Sequence, residues 1–379
     1  MAEIIPKGER KFLVRVFLKR VNGRTRYHSK VVHGTKKDAE KYARTAEVKR
    51  DLGELDKPAN EDPTFGKFLD GWMKEFKKGT VRERTFEGYV YTLKQYVRPY
   101  LGDDRLSELT ARRLQGVYNE LSESGLSPRT VAFAHSLIRE ALNQAVVDDL
   151  LPANPALSTR RPPRIKKAID VFTPEEAGRF IKAAKKDRLG IVFWFALATG
   201  MRPEEYLALQ WNHIDLGKLE LNVRQTIYFP KGGSWKLEEV KTASSLRTVE
   251  FENRLARALS EHKVNQAAQR LRLGKKYHNN NLVFATPKGA PLQYRNLTLR
   301  HLVPIIEAAK IDGPRNLYRL RHSFVTLSLL CGIDPKAVSR AAGHSSVAFT
   351  LDTYQHVLPS VRKDAAEKIG YILFGGRAV

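Results

Sequence analysis

The sequence has one cysteine in 379 residues, too few acids to balance its bases, and no apolar run long enough to cross a bilayer. Cys331 has no cysteine partner within the chain, which excludes an internal disulfide and a metal site built from several thiolates. Set in the apolar run Leu327–Ile333, it reads as core. A membrane helix needs about 20 consecutive apolar residues, and the first ten residues are polar rather than signal-like. The expectation is an intracellular protein with no membrane partner. Internal repeats, low-complexity tracts and a Walker-type phosphate loop are also missing, as is a carboxylate cluster suited to two metal ions. Neither ATP, a metal nor another cofactor is therefore expected.

What is present is positive charge. Lys and Arg number 66 against 41 Asp and Glu, a formal net charge of +25, while 42% of residues are hydrophobic. The apolar share supports two or three packed domains. The charge attracts polyanions, nucleic acid foremost, although ribosomal and anionic-membrane proteins share the property.

Local patterning divides the chain. KFLVRVFLK and RTRYHSKVV alternate with period two around Asn22-Gly23, which signals a hairpin, and Thr35 caps a helix running to about Leu52 before Gly53. Between Lys11 and Lys37 there are nine Lys or Arg and no acid, including Arg15, Lys19, Arg24 and Arg26. This is either a solvated cationic face or a ribbon that enters a DNA groove. A polar, proline-containing stretch over 56–63 reads as a linker. From 64 to 158 the pattern is helical: Phe65, Phe68, Leu69, Trp72 and Phe76; Tyr89, Leu93, Tyr96 and Val97; Val131, Ala134, Leu137, Ile138, Ala141, Leu142 and Ala145. These positions read as core, with Lys77, Arg82, Arg84 and Arg129 among the bases on the polar faces. TRRPPRIKKA over 159–168 is irregular because of its paired prolines, and its Arg160, Arg161, Arg164 and Lys166 suit phosphate. Thr173-Pro174-Glu175-Glu176 then opens a helix with a capping box. The last domain, 169–379, continues with helical Ile191–Gln210, a strand-rich patch over Leu219–Phe251, and further helices.

That domain carries polar residues inside apolar segments. Arg202 and Glu205, three apart after FWFALATG, are spaced to pair, as a structural ion pair or as part of a site. Lys241 lies in VKTASSLRTVEF between strand-like runs, where an exposed loop lysine is the ordinary reading. Arg321 and His322 open an apolar helix in LYRLRHSFVTLSLL, and Tyr354 follows His344 by ten residues in GHSSVAFTLDTYQH.

Taken in order, ATGMRPEEYLAL, VKTASSLRTVEF, LYRLRHSF and GHSSVAFTLDTYQH resemble the catalytic domain of the tyrosine-recombinase, or phage-integrase, family. The resemblance extends to the helical unit, similar to a core-binding (SAM-like) domain, and to residues 1–55, similar to an arm-type DNA-binding domain. It implies a multidomain, mainly α fold: an N-terminal three-stranded β-sheet plus helix, a helical bundle, and a mixed α/β catalytic domain. It also implies the two arginines Arg202 and Arg321, Lys241, His344 and the nucleophile Tyr354, with Glu205 and His322 in support. Tyr318 stands where the family usually has His.

These residue types suit phosphodiester exchange. Guanidiniums grip non-bridging oxygens bidentately, and His344 would add a hydrogen bond. Tyr354, with an ordinary pKa near 10, becomes a nucleophile when a base or a cationic pocket favours its phenolate. Lys241 would protonate the departing 5′ oxygen. The resulting 3′-phosphotyrosyl bond conserves the energy of the phosphodiester. On this reading Tyr318 donates a hydrogen bond to phosphate and does not act as a base. The implied partners are double-stranded DNA at core and arm sites, three further protomers in a homotetramer, a DNA-bending host factor and a directionality factor. The implied location is the bacterial cytoplasm, on the nucleoid when DNA-bound. After the nucleophile, a break at Pro359-Ser360 precedes a helix that packs on its own domain or on a neighbouring protomer. Competing readings are a type IB topoisomerase and a catalytically silent DNA-binding protein.

Overall fold

The structure is a computed structural model that describes residues 2–21, 24–52, 62–162, 169–232, 234–240 and 245–353, with positions 370 and 373. The chain divides into two compact units, Met1–Ile165 and Lys166–Val379. The division falls inside the basic stretch 159–168. Gly53, residues 56–61, Arg164, Lys166, Lys241, Tyr354 and, apart from positions 370 and 373, the terminal helix expected beyond Ser360 lie outside the described residues. No described helix is long and apolar enough to cross a membrane.

The first unit begins with strands β1 (Glu3–Gly8), β2 (Lys11–Val21) and β3 (Arg24–His33), antiparallel in the order β1-β2-β3. Val21 pairs with Arg24, so the β2–β3 connection falls on Asn22-Gly23. Alternation turns Val14 and Val16 onto the buried face. There they meet Ala39, Ala43 and Ala46 of helix α1 (Lys36–Asp51), spaced to share one helix face. Thr35 caps α1 with a full capping box. The other face presents Arg15 over the Tyr27 ring, 5.8 Å from its centre, and Phe17 edge-on to Tyr27.

The same unit contains an all-helical bundle: α2 (Phe65–Trp72), α3 (Glu83–Thr92), α4 (Arg98–Leu101), α5 (Ala111–Glu123) and α6 (Pro128–Val147). Threonine or serine oxygens cap α2, α5 and α6, and Pro128 occupies the first turn of α6, where its missing N–H costs nothing. The expected apolar positions form its core, with one correction. Phe76 is 37% exposed. Helix α2 passes into a π-turn over Met73–Lys77, and the extra residue rotates the face so that Met73 is buried instead.

The second unit holds α7 (Pro174–Ala184), α8 (Gly190–Thr199), α9 (Pro203–Tyr206), β4 (Ile214–Asp215), β5 (Glu220–Val223), β6 (Gln225–Tyr228), β7 (Lys236–Glu239) and β8 (Arg247–Glu250). Then follow α10 (Asn253–Leu273), α11 (Tyr294–Leu297), α12 (Val303–Ala308), α13 (Tyr318–Leu330), α14 (Pro335–Ala342) and α15 (Val347–Thr353). A three-stranded sheet, β4-β5-β8, and the hairpin β6-β7 pack beside helices around one apolar core that includes Phe180, Phe193, Phe195 and Phe284.

Two expectations are corrected here. Ile191–Gln210 is not one helix: α8 ends at Gly200, whose φ of 61° is left-handed, and α9 restarts at Pro203. Cys331 is exposed rather than core, because α13 stops at Leu330 and the chain turns at Gly332, φ 77°.

The break at Gly200 should not tolerate a side chain. A Cβ there would lie 2.1 Å from Cδ1 of Phe324, in a conformation that L residues rarely adopt. Gly200→Ala is expected to lower unfolding free energy by about 2 kcal/mol or more, read from a urea denaturation curve. An unchanged midpoint would show that the turn relaxes without strain.

Candidate active site

Arg202 sits where the chain re-enters helix after Gly200. It is the N-cap of α9, with Pro203 next, and its backbone N–H donates to Glu205 Oε2 at 2.9 Å. Its Nη1 donates to Glu205 Oε1 at 2.9 Å, so the expected pair forms, through a capping box rather than along a helix face. Its Nη2 donates to the carbonyl of Gly343 at 2.7 Å, and the side chain stays 31% exposed.

Glu205 is 2% exposed and has a second arginine partner. Arg247 of β8 donates from Nη2 to Oε2 at 2.7 Å and from Nη1 to Oε1 at 3.1 Å. Burial pushes the Glu205 carboxyl pKa up, but the hydrogen bonds and charge of Arg247, then the charge of Arg202, outweigh it and hold the group below its ordinary value. Sequence reasoning missed Arg247. The signal was in RTVE, where alternation places an arginine on the same inward face as Val249.

The C-terminal end of α14 gathers the other cations. Arg247 Nε donates to the carbonyl of Ala341 at 2.8 Å, Arg321 Nη1 to that of Ala342, and Arg202 to that of Gly343. Three successive carbonyls, left without helical partners, thus receive three guanidiniums from distant segments. Arg321, 4% exposed in α13, also donates to the carbonyl of Gly200 at 2.8 Å.

His344 follows directly, its Nδ1 2.7 Å from Thr350 Oγ1. Burial, then Arg321 and Arg202, push its pKa down to about 3; burial and Arg321 push His322 down to about 4. Both imidazoles are neutral near pH 7. The expectation for Tyr318 is revised. Its hydroxyl donates to Glu204 Oε2 at 2.9 Å, which commits its single proton to a carboxylate. Burial first, then the Glu204 charge, raise its pKa, and Arg202 and Arg321 oppose this. Nothing in the sequence pairs Glu204 with a residue 114 positions away.

The second unit therefore brings Arg202, Glu205, Tyr318, Arg321, His322 and His344 together. Lys241 and Tyr354 lie outside the described residues; Thr353, the last residue of α15, adjoins Tyr354. Among the expected DNA contacts, Arg15, Arg84, Arg129, Arg160 and Arg161 are exposed and Arg82 is partly so. The side chains of Lys19, Arg24 and Arg26, with Arg164 and Lys166, are outside the described set. Lys77 departs from expectation: it caps the Trp72 ring at 4.9 Å and pairs with Glu140 within the bundle. Among the described residues, no group of three His, Cys, Asp or Glu is placed to hold a metal ion.

Known proteins resemble this chain in sequence and in fold. The profile described as phage integrase family matches residues 170–360, and that of the phage integrase N-terminal SAM-like domain matches 64–122. A tyrosine recombinase XerC-like protein of Caldanaerobacter subterraneus is 29% identical over 327 residues, 82% of this chain and 83% of that one. The ICEBs1 integrase of Bacillus subtilis is 27% identical, covering 76% and 78%. Among solved structures, the Tn1549 transposon integrase bound to transposon right-end DNA has a TM-score of 0.69 at 19% identity, over 80% of this chain and 99% of that one. A lambda integrase tetramer on a Holliday junction has a TM-score of 0.57 at 18% identity, over 86% and 90%.

Two outcomes follow from the geometry. Arg247→Met removes both hydrogen bonds and the buried charge that Arg247 gives the Glu205 carboxylate and should cost about 3 kcal/mol of stability by chemical denaturation, more than Arg202→Met, whose side chain is partly solvated. Adding Glu205→Gln to Arg247→Met should recover part of the loss. If Arg247→Met is neutral, Arg202 alone supports Glu205.

The histidines give a pH signature. Their folded pKa values, about 4 and about 3, lie below the ordinary 6.5, so the unfolded chain takes up protons first as pH falls. Their contribution is complete above about pH 6.5 and is lost progressively toward pH 3. The melting temperature of the free protein should drop on going from about pH 7.5 to about pH 5, and the drop should shrink in His322→Asn/His344→Asn. An equal drop in both proteins would contradict the assignment.

Proposed function

The chain belongs to the phage integrase family and is a DNA recombinase of the tyrosine type, and from that premise we propose that Tyr354 is its nucleophile and Arg202 and Arg321 its phosphate clamp. The observation that supports this reading is the convergence of Arg202, Arg321 and Arg247 on the last carbonyls of α14, directly before His344, with buried Glu205 behind them.

In the proposed reaction the scissile phosphate replaces water at the two guanidiniums, which stabilise the charge that builds on its non-bridging oxygens. Neutral His344 adds a hydrogen bond without the cost of losing a proton. Tyr354 attacks phosphorus, Lys241 protonates the departing 5′ oxygen, and the chain carries a 3′-phosphotyrosyl bond. Attack by a 5′ hydroxyl from another strand reverses the step and completes exchange, with no ATP required.

The division of labour we propose follows the sequence: residues 1–55 on arm-type sites, 64–158 and 169–379 on core sites, and 159–168 lying along phosphate between them. The solved Tn1549 and lambda integrases are bound to DNA, the latter also as a tetramer on a Holliday junction, which supports double-stranded DNA and a tetrameric assembly here. A host bending factor and a directionality factor complete this reading, as does integration or excision of a phage or mobile element.

The test uses a nicked suicide substrate, which traps the covalent complex. Wild-type protein should form an adduct resistant to denaturant, and Tyr354→Phe, which removes one oxygen, should form none while its affinity for DNA stays within about twofold. Adduct formation by Tyr354→Phe would reassign the nucleophile.

A further inference from the structure

We propose that the second unit binds a phosphate-bearing anion in a cleft at the far end of α8, away from the catalytic residues. The cleft, about 550 Å³, is framed by the last turn of α7, the first turn of α8 and one face of α10. That volume lies in the range of small-ligand sites. Helix α8 runs ten residues, Gly190 to Thr199, so at about 1.5 Å per residue the cleft is roughly 15 Å from the turn that carries Arg202. Arg202, Arg321 and His344 take no part in it.

Charge distinguishes this cleft. Lys185, Arg188, Arg254 and Arg257 line it, against two acids, Asp187 and Glu261. Asp187 is already committed: its Oδ1 accepts from the Leu189 N–H at 2.7 Å, and the same carboxylate meets His301 Nδ1 at 2.9 Å. Glu261 follows Arg257 by one helical turn without pairing to it, and among the described residues no acid or carbonyl engages the guanidinium of Arg188, Arg254 or Arg257. The Lys185 ammonium stands 5.5 Å from the centre of the Trp194 ring, which holds it at the edge of the same space. Cations set around one concavity repel one another, and its apolar walls focus their field, so an entering anion relieves both effects.

The backbone adds to the same field. No side chain of the N-cap Leu189 closes the start of α8, and Gly190 and Ile191 line the cleft, so the positive pole of the helix lies there too. Gly190 also sets the floor: a Cβ would fall 1.8 Å from the Ala184 carbonyl oxygen, so only glycine lets α7 and α8 close up at this point. These groups select the ligand class. Guanidiniums hold phosphate oxygens in bidentate pairs, and three of them with a lysine match an anion that carries more than one negative charge. Two sources offer that chemistry: a free polyphosphate, and the backbone of a DNA segment other than the one at the catalytic residues.

Inorganic triphosphate is the probe, titrated into the full-length protein by calorimetry at low ionic strength. Wild-type protein should bind it, and Arg188→Gln/Arg257→Gln should weaken that binding about tenfold or more, with the melting temperature unchanged and adduct formation on the suicide substrate within about twofold of wild type. Arg84→Gln/Arg129→Gln removes the same charge from exposed positions of the helical bundle and should leave the affinity as it was. Absence of binding to wild type overturns the proposal, and so does equal affinity in wild type and Arg188→Gln/Arg257→Gln. An equal loss in the two double variants also overturns it, because the cleft would then be nonspecific charge. A short duplex without a core site separates the sources. If it displaces triphosphate from wild type and itself binds Arg188→Gln/Arg257→Gln more weakly, the anion is DNA backbone; if triphosphate still binds the duplex complex, it is a free polyphosphate. Either result keeps the cleft as a phosphate site.

Discussion

A carboxylate shut away from water must be paired, and at Glu205 that requirement organises the whole catalytic unit. Its two oxygens take bonds from Arg202 in the turn after α8 and from Arg247 on β8. Neither arginine could be removed cheaply, because each would leave a charge in a medium that solvates it poorly. The turn and the sheet are thereby fixed to each other through one side chain. Arg202 is held from behind while its outer edge stays partly exposed, which suits the phosphate-gripping role proposed for it.

The second organising element is the end of α14. A helix terminus leaves carbonyls unsatisfied and carries the negative pole of the helix dipole. Here those carbonyls accept from three arginines that would otherwise repel one another. Close approach is possible because Gly343 has no side chain and adopts φ 68°; a Cβ would come within 2.7 Å of Arg247 Nη1. Local backbone chemistry thus sets the spacing of cations that sequence places far apart.

Much of this was legible in advance, for identifiable reasons. The Arg202–Glu205 spacing, the cap at Thr35, the capping box at Thr173 and the pairing of β2 with β3 depend on neighbours in sequence; the caps and strands formed as read, and the ion pair formed through a capping box instead of along a helix face. What was missed depends on competition or distance. Gly200 reads as one tolerable glycine in an apolar run until Phe324 closes over it. Phe76 keeps helical spacing but loses its face to a π-turn. Cys331 belongs to an apolar run that extends beyond its helix. Arg247–Glu205 and Tyr318–Glu204 join residues 42 and 114 positions apart, and no local pattern announces such pairs. The Lys241 and Tyr354 assignments rest on the motifs.

The carbonyls of Ala341, Ala342 and Gly343 also bear on how such a centre can be mapped. Their contribution is made by main-chain oxygens, which every amino acid supplies. Alanine scanning across 341 and 342 would change nothing, since alanine is already there, and most other side chains would leave the oxygens in place. At 341 and 342 the anchor is therefore silent to alanine scanning, and at 343 a side chain would collide with Arg247 without reporting on the carbonyl. It would become visible through backbone chemistry, such as replacing an amide by an ester, which weakens the carbonyl as an acceptor while leaving the side chains unchanged.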